Sequence, residues 1–199
     1  MVWKLDVGGG KFVHVIGIHL KCCGGAANDI RRNNTMKNLI AWIDVNTNAA
    51  DGVMLMGDFN AVSPVDTVPS FLGYQSGFEP ASGSSLNDGP LRMLLDPSDP
   101  DASGVHTFQD AFRTANPTCG SDPDCCADTL CDATGLSSGG CPERGYTYVG
   151  DTHNFDSRID FIMINQNVLV TGAATAGDVG GTSVCTASDH IAVDAIVSF

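Results

Sequence analysis

Hydrophobic positions along this chain follow two rhythms. Val2 to Val7 alternate loosely with polar residues, Gly8-Gly9-Gly10 supplies a turn, and Lys11 to Leu20 reads as a second extended segment. That pattern predicts a β-hairpin. Cys22 to Ala27 reads as a loop. From Asn28 to Val45 the spacing becomes helical: Ile30, Met36, Leu39, Ile40 and Ile43 fall mostly on one face, and Asn28 or Asp29 is placed to cap the start. Val53 to Met56 is apolar throughout, as expected of a strand at the buried centre of a sheet. A Pro-, Gly-, Ser- and Asp-rich stretch follows from Ser63 to about Ser103, within which Gly89 to Leu95 reads as a helix. His106 to Arg113 is expected to form another short helix. Tyr146 to Val149, Ile159 to Asn165 and Ile191 to Val197 read as strands. No repeat and no linker divides the chain, so one domain over residues 1–199 is expected, an α/β sandwich.

Composition sharpens this picture. A chain of 199 residues with 43% hydrophobic content can bury one substantial core. The net charge of −13 argues against non-specific nucleic-acid binding, which relies on Lys and Arg to displace counterions. It does not exclude a phosphodiester substrate, because a bound divalent cation can reverse the local field. No run approaches the ~18 apolar residues of a membrane span. No obligate protein partner is evident.

Eight cysteines are the outlier, five of them at Cys119, Cys125, Cys126, Cys131 and Cys141 in an insert at about 117–141. An even, clustered count suggests disulfides and an oxidising compartment. We expect two disulfides within the insert, with the fifth cysteine pairing to Cys185 or to the Cys22-Cys23 loop. Met1 to Asp6 has no signal-peptide character, so an extracellular, secreted location is expected only if the true N-terminus lies upstream. Zinc is the runner-up for the insert, with His153 the nearby imidazole. Calcium is a third reading, because Asp122, Asp124, Asp128 and Asp132 crowd the same loop without EF-hand spacing.

Candidate chemistry gathers at the ends of predicted strands. Gly17-Ile18-His19-Leu20 closes one apolar run, Gly57-Asp58-Phe59-Asn60 closes another, and Ser188-Asp189-His190 opens the last. Two His, two Asp and an Asn delivered to strand ends suit metal-assisted phosphate-ester hydrolysis. Each has a plainer reading alone: His19 as a hydrogen-bonded sheet residue, Asp58 to Asn60 as a turn, Asp189-His190 as a solvated loop or cap. His14 lies an odd number of residues from His19 and so faces the other side of the strand. His106 and His153 are expected at the surface, and Trp42 and Phe59 in the core. Asn33 fits a glycosylation acceptor, within a predicted helix.

Four blocks in order resemble the endonuclease/exonuclease/phosphatase superfamily, with its deoxyribonuclease I-like fold. They are Ile18-His19-Leu20, Gly57-Asp58-Phe59-Asn60, Ser157-Arg158-Ile159-Asp160-Phe161-Ile162 and Ser188-Asp189-His190. The resemblance implies a two-sheet β-sandwich flanked by helices, and hydrolysis of phosphodiesters or phosphomonoesters with Mg²⁺ (or Mn²⁺/Ca²⁺). In the resembled family an earlier half carries an Asn motif and a metal-binding Glu. Neither precedes His19, so the chain resembles the C-terminal part of that domain.

Chemistry and resemblance together assign the roles. Asp58 would activate the attacking water and help hold the metal with Asp189. Asn60 would orient that water or donate to a phosphate oxygen. His190 would contact the scissile phosphate and move a proton, with Asp160 fixing its tautomer. His19 would bind a non-bridging oxygen or protonate the leaving group. Arg158 is a phosphate clamp or a structural ion pair. The expected substrate is a phosphate ester: nucleic acid, phospholipid or a small ester. The alternative from another class is a non-catalytic, disulfide-stapled binding or structural module that keeps the fold.

Overall fold

Three consecutive glycines shape the first hairpin. Gly8, Gly9 and Gly10 all take positive φ (86°, 64° and 76°), a region a side chain disfavours, and they turn β1 (Val2–Gly8) back onto β2 (Lys11–His19). The computed structural model describes residues 1–22, 26–61, 89–115, 148–149, 156–157, 159–176, 178–179, 182–183 and 192–199. The cysteine-rich insert, His153, Arg158, Asp189 and His190 lie outside the described residues.

After β2 come α1 (Ala26–Asn46) and β3 (Gly52–Asp58), then two short helices, α2 (Arg92–Leu95) and α3 (Ala111–Ala115), with β4 (Phe108–Asp110) between them. β5 (Tyr148–Val149) pairs with β6 (Asp156–Ser157). The remaining strands are β7 (Asp160–Asn165), β8 (Leu169–Ala176), β9 (Asp178–Val179), β10 (Thr182–Ser183) and β11 (Ala192–Ser198). Five strands form one mixed sheet in the order β1-β2-β3-β7-β4. The β2–β3 pair is parallel, with α1 as its crossover. The other pairs in this sheet are antiparallel. β8 and β11 form a separate antiparallel pair.

Each face of the sheet has its own core. On one, Ile16, Val53, Leu55, Phe161 and Met163 pack with Met36, Ile40 and Ile43 of α1. On the other, Val13, Met54, Ile162 and Ile164 are buried with Val168, and Val170, Val193, Ala195 and Val197 of the β8–β11 pair pack against them. This is the expected sandwich, one layer of helix and two of strand. β3 and β7 sit between both cores, which explains why their sequences read as continuous apolar runs.

Four expectations change. Residues 106–113 do not form one helix: Phe108–Asp110 pairs with β7, and the helix begins only at Ala111. The Asp110 side chain accepts from the Phe112 N–H, a local cap that starts the helix after the strand. Trp42 is 39% exposed, because the buried stripe of α1 runs through Asp29, Arg32, Met36, Ile40 and Ile43, and Trp42 falls beside it. Ile30 is exposed for the same reason.

His106 is buried, not a surface residue. Its partners fix its proton. Asn165 Oδ1 accepts from the Val53 N–H, so its amide nitrogen faces His106 Nδ1 at 2.9 Å. Nδ1 must therefore accept, and Nε2–H donates to Thr47 Oγ1 at 2.7 Å, whose own proton goes to the Ile43 carbonyl. Nearby, Asp51 accepts from the backbone N–H groups of Phe12 and Asn48, with His14 Nε2 at 3.5 Å.

Protonating His106 would set two donors face to face. Burial holds its pKa below the usual 6.5, against the pull of Asp44 and Asp51. The folded state thus binds fewer protons here than the unfolded chain. This contribution to stability is complete above about pH 6.5 and is lost as pH falls through the lowered native value. For Asp51, burial works to raise the pKa, but the two backbone N–H groups, His14 and the Asn48 side chain outweigh it and hold it below 3.8. Its contribution is lost only below that value. Thermal melts should therefore show a decline in Tm beginning between pH 7 and pH 6, and His106→Gln should remove that limb. A His106→Gln profile superposable on wild type would show that the network does not carry it.

Candidate active site

His19, Asp58 and Asp160 stand side by side. The parallel β2–β3 register places His19 opposite Asp58, and the antiparallel β3–β7 register places Asp58 opposite Asp160. Side chains alternate along strands, so all three share the face that carries Val13, Val15, Met54, Met56, Ile162 and Ile164, turned toward the β8–β11 pair. Each residue is the last of its strand or the first, so the apolar core stops where the polar row begins.

Asp58 is the fixed point of this row. It is 16% exposed, and His19 Nε2 lies 3.6 Å from its Oδ2. The imidazole is 77% exposed and is available to a ligand. Asn60 grips the carboxylate from behind: its backbone N–H donates to Oδ1 at 2.7 Å and its side-chain Nδ2 to Oδ2 at 2.5 Å. The same Nδ2 donates to the Leu20 carbonyl at 3.1 Å. Both partners are acceptors, so the amide nitrogen must face them. Asn60 is buried and its two amide hydrogens are used within the fold. In this geometry it is a positioning residue that ties the end of β2 to Asp58. It adopts φ 46°, the left-handed region that Asn tolerates better than most residues.

The backbone reinforces the row. Leu20 N–H donates to the Asp58 carbonyl and Phe59 N–H to the Ile159 carbonyl, each at 2.9 Å, continuing both ladders past the strand ends. Phe59 turns into the core as expected and meets Phe161 edge-on at 5.6 Å. Gly57 has φ 129°, and a Cβ there would lie 2.2 Å from the Ile18 carbonyl oxygen. Only glycine lets β2 approach β3 closely enough to bring His19 beside Asp58. The sequence motif contains Gly57 and Asn60, but it does not reveal these supporting roles.

Two carboxylates facing each other across a ladder destabilise it unless positive charge lies near. Hard oxygen donors of this kind suit Mg²⁺. Among the described residues, however, no three His, Cys, Asp or Glu side chains converge as a metal cage. The described row fits a cation in donor type and falls short in donor number.

Comparison with known proteins agrees with the fold. The endonuclease/exonuclease/phosphatase from Beutenbergia cavernae DSM 12333 aligns with 98% of this chain at 16% identity and a TM-score of 0.55. This chain covers 38% of that structure, so it spans well under half its length. The Xenopus laevis APE2 catalytic domain aligns at 17% identity over 94% of this chain and 49% of its own, with a TM-score of 0.49. A humanized D. rerio TDP2 carrying 14 mutations aligns at 12% identity over 100% of this chain and 66% of its own, with a TM-score of 0.48. No curated protein matches. The four ordered blocks, the sandwich and the row at its strand ends find their common explanation in the sequence match over residues 1–190: this chain belongs to the Endonuclease/Exonuclease/phosphatase family.

Proposed function

We propose that this chain is a hydrolase of phosphate esters, of phosphodiesterase, nuclease or phosphatase type, in which water attack is assisted by Asp58 and His190. The observation that carries the reading is the in-register row His19–Asp58–Asp160, with Asp58 held by both hydrogen-bond donors of Asn60. A carboxylate fixed in this way still has lone pairs to accept a proton from water. The exposed imidazole of His19 suits a non-bridging phosphate oxygen or a leaving group. On this reading Asp160, at the start of β7, would orient His190, and Arg158 would serve as a phosphate clamp or a structural ion pair. A divalent cation, Mg²⁺ with Mn²⁺ or Ca²⁺ as alternatives, would be held by Asp58 and Asp189 and would neutralise phosphate charge when bound.

The net charge of −13 disfavours a nuclease that relies on non-specific affinity for nucleic acid, and leaves phospholipid and small phosphate esters open. Hydrolysis of bis(p-nitrophenyl) phosphate tests the reading. Turnover should require Mg²⁺ or Mn²⁺ and stop on addition of EDTA. Absence of turnover with any divalent metal, on folded protein, would overturn it and leave the non-catalytic module.

The insert at about 117–141 belongs to the same proposal. It carries five cysteines among Gly, Asp and Ser with few apolar residues, so covalent cross-links would order it in an oxidising, extracellular setting. Mass spectrometry without reductant should find disulfides there. Eight free thiols would refute both the cross-links and the secreted location.

A further inference from the structure

We propose that Asn165 is a positioning residue for the row His19–Asp58–Asp160: from the far end of β7 it sets the register in which β3 meets β7. For the reaction this rests on the hydrolase reading above; for the register it rests on hydrogen bonds alone. The need for such a residue comes from the two strands themselves. Register is usually specified by alternation, because a slipped strand turns apolar side chains to water. β3 and β7 offer little alternation. Along both strands successive residues fall alternately into the two cores, so each face of each strand is apolar. A slip of two residues would keep the backbone groups facing their ladders and still set apolar side chains against apolar ones. It would also carry Asp58 two residues away from Asp160.

The ladder shows what fixes the choice. Phe59 N–H donates to the Ile159 carbonyl, so Gly57, Leu55 and Val53, at every second position back from it, turn their backbone groups toward β7. The rung after Leu55–Met163 would be Val53–Asn165, and there a side chain takes over. Val53 N–H donates to Asn165 Oδ1 at 3.0 Å, and Asn165 Nδ2 donates to the Asp51 carbonyl at 2.9 Å. The backbone carbonyl of Asn165 is released to accept from Val168 N–H at 3.1 Å, in the turn to β8. One amide thus serves the two backbone groups on either side of Gly52, as a neighbouring strand would, because it offers a donor and an acceptor side by side. Asn165 is fully buried, and His106 Nδ1, 2.9 Å from Nδ2, holds the amide in this orientation. Asn167 adds a second hold, donating through Nδ2 to the carbonyls of Ala49 and Asp51 at 2.8 Å each. A slip of two residues would break both bonds of Asn165 and orphan an N–H and a carbonyl at two buried residues, Val53 and Asp51. That costs more than the loss of an exposed hydrogen bond. Asp160 starts the strand that Asn165 ends, about 17 Å away, so fixing one end of β7 against β3 fixes the other.

Hydrogen exchange on the wild-type chain gives the first test. The Val53 amide, bonded to a side chain, should exchange as slowly as the ladder amides of Leu55 and Gly57. Free exchange at Val53 beside protected Leu55 and Gly57 would overturn the proposal. Asn165→Leu gives the second test, with Met36→Ala in α1 as a control for lost stability. Asp58 and Asp160 form a non-hydrogen-bonded pair, with Cα atoms about 4.5 Å apart, so their Hα protons should give a strong cross-strand NOE. Asn165→Leu should weaken or abolish that NOE. It should also lower kcat on the order of ten-fold or more with KM little changed, the usual result of misplacing a group from a distance. Met36→Ala should keep both at the wild-type level, each protein being measured where it is folded. A wild-type NOE in Asn165→Leu, or a lost NOE with wild-type kcat, would overturn the proposal. If Asn165→Leu does not fold, the exchange at Val53 decides. A wild-type chain without turnover, but with the expected exchange and NOE changes, would overturn the hydrolase reading and leave Asn165 as the residue that sets the register.

Discussion

Asp58→Asn should lower kcat for phosphodiester hydrolysis by ~10²–10⁴, the usual worth of a positioned acid or base. The substitution keeps the shape of the side chain and removes its charge and basicity. It acts at the point where the row converges, because Asp58 is in register with both His19 and Asp160. One side effect is foreseeable. Asn60 presents donors to both oxygens of Asp58, so an amide nitrogen at position 58 would face a donor. A modest loss of stability is therefore expected, on the order of 1 kcal/mol or slightly more, for a hydrogen bond turned into a mismatch. The kinetic loss should be far larger than that cost and should fall on kcat. Wild-type kcat in a folded Asp58→Asn protein would remove Asp58 from the chemistry.

The row was legible before its geometry was, for a physical reason. A polar residue at the end of an apolar run is a local signal, and His19 and Asp58 carry it; Asp160 falls inside the predicted strand Ile159 to Asn165 and is singled out only by the resemblance. Their adjacency is not local: it depends on which strands pair and in what register, across separations that no periodicity encodes. The role of Asn60 was hidden in the same way, because its partner Leu20 is brought to it only by the β2–β3 pairing. The hairpin and α1 are legible because each repeats one rhythm over many residues, and β3 and β7 because each is a nearly unbroken apolar run. β4 has three residues, too few to show a period, and the sequence around it patterns as a helix. β8, Leu169–Ala176, is built largely of small residues, so its alternation is faint and no strand was expected there. His106 gives no local sign of burial, since Thr47 and Asn165 each lie 59 residues away in sequence.

Arg32→Met should destabilise the protein by about 3–5 kcal/mol, the cost of removing one member of a buried ion pair. For a chain of this length that corresponds to a fall in Tm of roughly 10 °C. Arg32 is fully buried in α1, one turn after its ion-pair partner Asp29, which is itself 6% exposed. Its guanidinium also donates through Nη1 to the Lys21 carbonyl at 2.7 Å. Methionine fills much of the volume, so the loss reports charge and hydrogen bonding rather than a cavity. Asp29 would lose its ion-pair partner at a buried position. The double variant Asp29→Leu with Arg32→Met should recover a large part of the loss, because a buried pair can be replaced by apolar residues at little cost. The effect should also reach the candidate active site. Lys21 follows Leu20, whose N–H and carbonyl bind Asp58 and Asn60, so Arg32 anchors the end of β2 where His19 is held. Arg32→Met should therefore weaken catalysis at temperatures well below its own melting point. If its stability falls within about 1 kcal/mol of wild type, Arg32 is not what fastens α1 to the end of β2, and the apolar stripe Met36–Ile40–Ile43 holds the helix.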